Sequence, residues 1–312
     1  MRSFKLLILL VVLLFTNYQN AFPGEQSLSE QQNINISSGL SHNVITKIFC
    51  DSRGIMWFGT YDGLNMYNGV STYTYKDTYD YINLPSNRIR DIIEDTDTRL
   101  WIATEQGVEV YDYNCDKFFI LPVEDIEMVG YNLVILKIIP SKDGQKYYCV
   151  TDNNGIITYD SDLRFVCQTP FPSQITDALD LSGDVILISS TIGFYLYDIT
   201  HDSVESVDIG ADVKFDQAPP PIRFANYNDS TILIGLNNRC IPINYIESEK
   251  GYIFTSKAPR NFDFGIRDIV VDDKGAIWFA SERDGFFYMP SISSRSSEIK
   301  NYLSNHQIAE IM

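Results

Sequence analysis

Short runs in which apolar and polar residues alternate recur along this chain, separated by polar turns. The run "VITKIF" (44–49) is followed by the acidic turn "DSRG", by "IMWFGT" (55–60), by a tight loop at Gly63, and then by "LNMYN" (64–68) and "STYTY" (71–75). Side chains of a strand point alternately to its two faces, so period-two runs bounded by Asp, Ser and Gly predict strands joined by hairpins. The same grammar returns in "NLPSNRIRDIIEDTDTRLWIATEQGVEVYDYNCDKFFIL" (83–121). Trp57 in "WFGT" falls on Trp101 in "WIAT", and the series continues through Tyr148, Leu187, Leu233 and Trp278, in steps of 44, 47, 39, 46 and 45 residues. Six units with one period are a repeat architecture. No 3.6-residue periodicity is sustained, which excludes helical solenoids.

Each unit predicts four strands. The first alternates, as in "RIRDII". The second is aromatic and apolar on both faces, since Trp57 points one way and Phe58 the other. The third reads "VEVYD", "IITYD", "FYLYD" or "FFYMP", and a less regular fourth reads "KFFIL", "RFVCQ" or "GYIFT". The loop between strands two and three carries Gly63, Gly107, Gly155, Gly193 or Gly285, where glycine takes a positive φ at little cost. Four short antiparallel strands about every 44 residues predict an all-β chain folded as a β-propeller. A blade is covered by a neighbour on each face, which fits strands apolar on both sides; a sheet half exposed to water alternates more cleanly. Tandem immunoglobulin-like domains would need about seven strands per unit. The predicted blades span about 39–76, 83–121, 131–169, 173–209, 221–256 and 263–302, within a propeller over 33–312. Trp57, Trp101, Tyr148, Leu187, Leu233 and Trp278 are read as structural positions that pack one blade on the next. The Asp of the first turn is read as turn chemistry.

The last residues, "NYLSNHQIAEIM", repeat the first strand of unit one: Leu303, Ser304 and Ile308 fall on Leu40, Ser41 and Ile45 at a displacement of 263. The expectation is therefore six blades plus the first strand of a seventh (303–312), in an incomplete seven-blade ring. "NINIS" (33–37) is the candidate closing strand.

Unit one resembles the regulator-propeller repeat of hybrid two-component sensors, common in Bacteroidetes. That repeat runs G-L-S-x-N-x-[IV], an acidic turn with glycine, W-F-G-T, D-G-L and a final Y-D/N-G. Unit one matches at Gly39, Leu40, Ser41, Asn43, Asp51, Gly54, Trp57, Gly59, Thr60, Asp62, Gly63, Leu64, Tyr67 and Gly69. Units two and six match in outline, and units three to five lack the Trp. The resemblance implies an extracytoplasmic sensor that recognises oligosaccharides. Such receptors carry two propellers, a β-sandwich module, a membrane helix, a histidine kinase and a response regulator. None of the later parts is recognisable here, so the chain reads as a receptor cut off inside its first propeller.

The N-terminus adds a location. Arg2 and Lys5 precede the apolar run Leu6–Phe15 and the polar "TNYQNAFPGE", the pattern of a secretory signal peptide, taken as residues 1–22. The run is shorter than the roughly 20 residues a membrane helix needs. A periplasmic protein is expected, reaching a membrane only through an uncleaved signal or a lost downstream segment. Five Cys without C-x-x-C spacing describe neither a disulfide framework nor a zinc site; buried thiols are expected. A net charge of −17 repels phosphate backbones and argues against nucleic acid as a partner.

No catalytic motif emerges. The three His lie in different units, and H-E-x-x-H, G-x-S-x-G and P-loop patterns are missing. "DDKGAIW" (272–278) resembles the Asp-box turn of sialidases, with Asp273, Gly275 and Trp278 in register, but that turn is structural. Enzymatic activity, a cofactor and a metal are therefore not expected; a propeller glycosidase or lyase is the weaker alternative. Binding is expected on the face that carries the loops between strands two and three, because rigid scaffolds present binding groups on loops. That face is predicted to offer Tyr61, Asp62, Glu105, Gln106, Asn153, Asn154, Asn237, Arg239, Arg283 and Asp284 as ligand-binding residues. Arg239 and Arg283 would clamp an acidic sugar through paired hydrogen bonds. The expected partners are an oligosaccharide, and a second propeller or the remainder of a receptor. A structural or interaction scaffold with no small ligand is the competing reading.

Overall fold

The strand grammar is realised in a computed structural model of the chain, which describes residues 39–68, 70–76, 84, 86–123, 133–210, 222–248, 251–272, 275–281, 286–291 and 300–301. The predicted signal peptide (1–22), the closing strand (33–37) and the seventh-blade strand (303–312) lie outside the described residues. Every regular element within them is a strand, so none is a helix able to cross a membrane. Blade one is β1 (Ile45–Cys50), β2 (Met56–Thr60), β3 (Gly63–Tyr67) and β4 (Thr72–Tyr75). Blade two is β5 (Ile89–Glu94), β6 (Leu100–Thr104), β7 (Gly107–Asp112) and β8 (Lys117–Ile120). Blade three is β9 (Ile135–Pro140), β10 (Lys146–Thr151), β11 (Ile156–Asp160) and β12 (Phe165–Thr169); blade four is β13 (Ile175–Asp180), β14 (Val185–Ser190), β15 (Phe194–Asp198) and β16 (Ser203–Val207). Blade five is β17 (Ile222–Asn228), β18 (Thr231–Leu236), β19 (Arg239–Ser248) and β20 (Gly251–Ser256), with β21 (Arg260–Asn261) added against β19. Blade six is β22 (Ile266–Val271), β23 (Ile277–Ser281), β24 (Phe286–Met289) and β25 (Lys300–Asn301). Within each blade the four strands pair antiparallel in chain order, and the first strands of successive blades pack in series around an axis.

Five apolar clusters fill the five junctions from blade one to blade six. At the second junction Trp101, Ala103, Val108 and Val110 meet Ile135, Ile138, Tyr147, Cys149, Ile157 and Tyr159. Trp101 stacks on Tyr147 at 4.2 Å between ring centroids and meets Tyr159 edge-on. Trp57 and Trp101 have no exposed surface, nor do Leu187 and Leu233, which take the same place in blades four and five. Trp278 differs. It faces outward beyond blade six and is only half-buried, because no cluster of buried residues joins blade six to blade one among the described residues. Gly59 lets blade two approach: a Cβ there would stand 2.7 Å from Cγ2 of Ile89.

The Asp of the first turn has two tasks. In blade two, Oδ1 of Asp95 accepts from the amides of Asp97 and Arg99, which closes the turn, while Oδ2 accepts from Trp101 Nε1 at 2.9 Å. Asp51 serves Trp57 in the same way in blade one, and Asp272 serves Trp278 in blade six. The bonding carboxylate in "DDKGAIW" is thus Asp272; Asp273 lies outside the described residues. Tyr113 of blade two also donates to Asp51 across the junction. Burial alone would raise the Asp51 pKa, but the bonds from Tyr113, Trp57, Ile55 and Arg53 outweigh it and hold the carboxyl below its ordinary value.

The loops between second and third strands close on a hydroxyl. Thr60, Thr104, Thr151 and Ser190 each donate to the carbonyl of the loop glycine, Gly63, Gly107, Gly155 and Gly193. Gly155 needs its freedom twice over: φ is 73°, and a Cβ would lie 2.1 Å from the carbonyl oxygen of Thr169. Gly193 does not adopt positive φ, contrary to expectation. Gly285 lies outside the described residues, and in blade five Asn237 takes the left-handed position with φ 54°.

Glu109 on β7 is 1% exposed, and neither of its carboxyl oxygens has a hydrogen-bond partner among the described residues. Asn65 holds the same place in blade one, where it is bonded to Ser41, Thr74 and the Phe58 carbonyl. Burial pushes the Glu109 carboxyl from 4.5 up to about 8.

Two stability measurements follow from these contacts. Asp95→Ala leaves a buried indole N–H and two turn amides without their acceptor, and urea unfolding should show a loss of about 2–3 kcal/mol. The folded chain keeps a proton on Glu109 that the unfolded chain releases above its ordinary pKa. Stability should therefore fall as pH rises from 4.5 to 8, by at most ~1.4 kcal/mol per pH unit. Glu109→Gln should flatten that slope in unfolding curves measured across the range.

Candidate ligand-binding site

The innermost strands begin at one end of the axis. In five of them the first residues are bulged: register slips between Ile45 and Lys47, Ile89 and Asp91, Ile135 and Lys137, Ile175 and Asp177, and Ile266 and Asp268. Two successive side chains then stand opposite one partner residue, and the extra one is re-aimed. Blade five is unbulged at this end, with Ile222 and Arg223 paired in register, its slip falling between Asn226 and Asn228. These starts arrange two rings around the axis.

The deeper ring is Lys47, Asp91, Lys137, Asp177, Phe224 and Asp268, and its charges bind blade to blade. Lys47 pairs with Asp91 at 3.0 Å and Lys137 with Asp177 at 3.6 Å. The same carboxylates accept backbone amides from the following blade: Asp91 from Ile138 at 3.0 Å, Asp177 from Phe224 at 2.8 Å. Each buried Asp thus meets a cation behind it and an amide ahead, which is what a carboxylate removed from water requires.

The outer ring is Thr46, Arg90, Leu136, Thr176, Arg223 and Arg267. With Tyr61, Lys137, Asp177 and Asp268 it lines a cavity of about 80 Å³ that all six blades reach. Arg223 ties three blades together: Nε donates to the Arg267 carbonyl at 3.1 Å, and Nη1 to the carbonyls of Thr176 and Ile222. Arg90 donates through Nη2 to Glu105, which also takes Arg88 Nη1 at 3.4 Å. Arg88 in turn lies 5.4 Å over the Tyr61 ring. Beside Arg90, Asp152 keeps its proton to a higher pH than usual because burial outweighs its hydrogen bonds and the arginine. Thr46 Oγ1 and Arg90 Nε are buried without a partner among the described residues.

The cavity opens on the end where second strands turn into third strands, since Ile45 lies opposite Thr60. The turn loops are bonded there to the connections between blades, Gly63 N to Asn87 O and Asp152 N to Val134 O. Of the residues expected to bind a ligand, Tyr61 lines the cavity and Glu105 is joined to it through Arg90. Asp62 is engaged by Lys76 and Asn87. Gln106 and Asn153 are exposed, Asn153 donating to Asp152 at 2.8 Å. The Asn154 carbonyl takes Gln168 and the Asn237 carbonyl takes the Ile266 amide. Arg239 begins β19, paired with Leu236 and Asn261, and does not line the cavity. Arg283 and Asp284 lie outside the described residues.

The six residues of the outer ring were absent from the expected set. Their signal was present as two adjacent non-alternating positions between apolar ones, "ITKI", "IRDI", "ILKI", "ITDA" and "IRDI", the mark of a bulge rather than a plain strand. Cys149 and Cys240 are buried as expected and Cys167 half-buried, but Cys50 and Cys115 are exposed, correcting the expectation for those two. Among the described residues no group of three or more His, Cys, Asp or Glu side chains could hold a metal ion.

Residues 39–62 and 83–106 match the family described as two component regulator propeller. No curated protein matches the chain. Among solved structures, it is similar to an extracellular domain from B. thetaiotaomicron assigned to the hybrid two component system BT3049, at 20% identity and TM-score 0.67, over 88% of this chain and 36% of that one. It is also similar to the extracellular domain assigned to the one component system BT4673 of B. thetaiotaomicron, at 18% identity and TM-score 0.70, over 88% and 39%. A chain of the mitotic checkpoint complex shares the architecture at 9% identity and TM-score 0.57, over 88% and 81%. At such identities the likeness is one of fold. The chain spans less than two-fifths of the two bacterial domains.

Proposed function

The first two blades carry two-component regulator propeller repeats, and from that premise we propose that the chain is a non-enzymatic sensor propeller of the extracytoplasmic kind, recognising an oligosaccharide at the mouth of its axial channel. The observation that carries the reading is the cavity itself. It is reached by all six blades and combines an aromatic ring, two hydroxyls, guanidinium groups and carboxylates, groups that suit the rings and hydroxyls of a sugar. It stands on rigid strand ends, with turn loops around its rim, so a bound saccharide would touch every blade and could register their relative positions. Periplasmic location agrees with the N-terminal pattern and with the extracellular domains that share the fold.

A second reading, an interaction scaffold, has an observation of its own. Trp278 of blade six and Ile48 of blade one are only half-buried, so these faces offer apolar surface to a packing partner.

A thermal-unfolding screen of the full chain against a panel of neutral and acidic oligosaccharides separates the two. A ligand that binds only the folded state at a hundred times its Kd adds about 2.7 kcal/mol. The sensor reading expects at least one saccharide to raise Tm by several degrees, dose-dependently. A panel without any shift would leave the scaffold reading standing alone.

A further inference from the structure

We propose that the axial cavity is an anion site, built to take the carboxylate or sulfate ester of an acidic saccharide; the inference rests on the saccharide reading above and names its ligand class. The chain as a whole carries −17, yet among the described residues that line this cavity four are cations, Arg90, Lys137, Arg223 and Arg267, against two carboxylates, Asp177 and Asp268. One of those carboxylates is already committed, since Asp177 takes Lys137 and the Phe224 amide. Of the carboxylates flanking the rim, Glu105 is bonded to Arg90 and Asp152 accepts from Asn153. The ring at the mouth therefore presents three guanidiniums from blades two, five and six, at one and the same strand position.

The donors there are not used up. Thr46 is 6% exposed and lines the cavity, and its buried hydroxyl has no partner among the described residues. Arg90 Nε is likewise buried and without a partner among the described residues. Arg223 spends Nε and Nη1 on three carbonyls, which fixes the plane of the guanidinium and leaves Nη2 without a partner among the described residues. A buried donor without an acceptor costs about 1–3 kcal/mol, and an oxyanion, which only accepts, would satisfy several at once. At about 80 Å³ the cavity holds several waters, room for one charged group and part of its ring rather than a whole chain. The remainder of the saccharide would lie across the rim beside Tyr61.

The test is calorimetric titration of the full chain with methyl glucuronide, methyl glucoside and sodium sulfate at millimolar concentration, alongside the oligosaccharide panel. Two variants accompany it, Thr46→Val and Arg267→Gln, each first shown by thermal unfolding to be folded without ligand. Thr46→Val keeps the side-chain shape and removes a hydroxyl that has no partner, so the unliganded fold should be as stable as the parent or more so. The expected result is glucuronide binding at least about tenfold tighter than glucoside, competition by sulfate, and a loss of about tenfold for glucuronide in either variant. Equal affinity for glucuronide and glucoside, no binding of any anion, or unchanged glucuronide affinity in both folded variants would overturn the proposal. Oligosaccharides that bind without regard to charge or to these variants would sink the anion site and keep the saccharide reading. Sulfate and glucuronide binding as predicted while every oligosaccharide fails would do the reverse.

Discussion

A four-stranded sheet that is apolar on both faces has no stable place in water unless another sheet covers each face. That constraint governs the molecule. Each junction from blade one to blade six is filled by side chains from two neighbouring blades, so no blade owns a core. A buried Trp or Tyr covers on the order of 150–250 Å², and the aromatic position of the second strand is where the next blade is gripped. The indole N–H would be a liability in such a junction, and the turn Asp removes it. One carboxylate thereby makes the hairpin and the packing mutually dependent.

The same arrangement forces a different solution at the axis. Six strands that converge leave little room for large apolar side chains, and their backbones approach a shared channel. The chain answers with charge in compensated order, Lys47 to Asp91 and Lys137 to Asp177, each Asp also holding an amide of the blade ahead. Because those two pairs neutralise each other, the ring in front of them is available for other work. The bulges turn those side chains to the mouth, and Arg223 stitches three inner strands while presenting one face of its guanidinium to the cavity. Structure and site share the same residues.

Much of this was legible from spacing. The period of about 44 residues located all six blades, and the second-strand aromatic position could be followed even where Tyr or Leu replaced Trp, because the surrounding alternation survived. The site was harder to read. Loop residues were expected to carry it; of these Tyr61 lines the cavity, Asn154 and Asn237 spend backbone carbonyls on holding loops in place, and Arg239 is a strand residue. Apart from Tyr61, the cavity residues sit on strands, where a polar side chain is ordinarily assigned to solvent. Only the doubled break in alternation separates a bulge from an ordinary outward position, and register is a property of a pair of strands. The half-exposure of Trp278 was invisible for a similar reason: burial at a junction depends on the next blade, which no local pattern describes.

The central claim is that the ends of the inner strands converge to form the recognition site. A crystal structure of the chain grown with an acidic disaccharide tests it most directly. The account predicts the ligand's anionic group in the axial cavity, within hydrogen-bond distance of Thr46 Oγ1, Arg223 Nη2 and the Arg267 guanidinium, with the sugar ring against Tyr61. Ligand density on the outer strands or at the open faces of blades one and six, with the cavity holding only water, would contradict it.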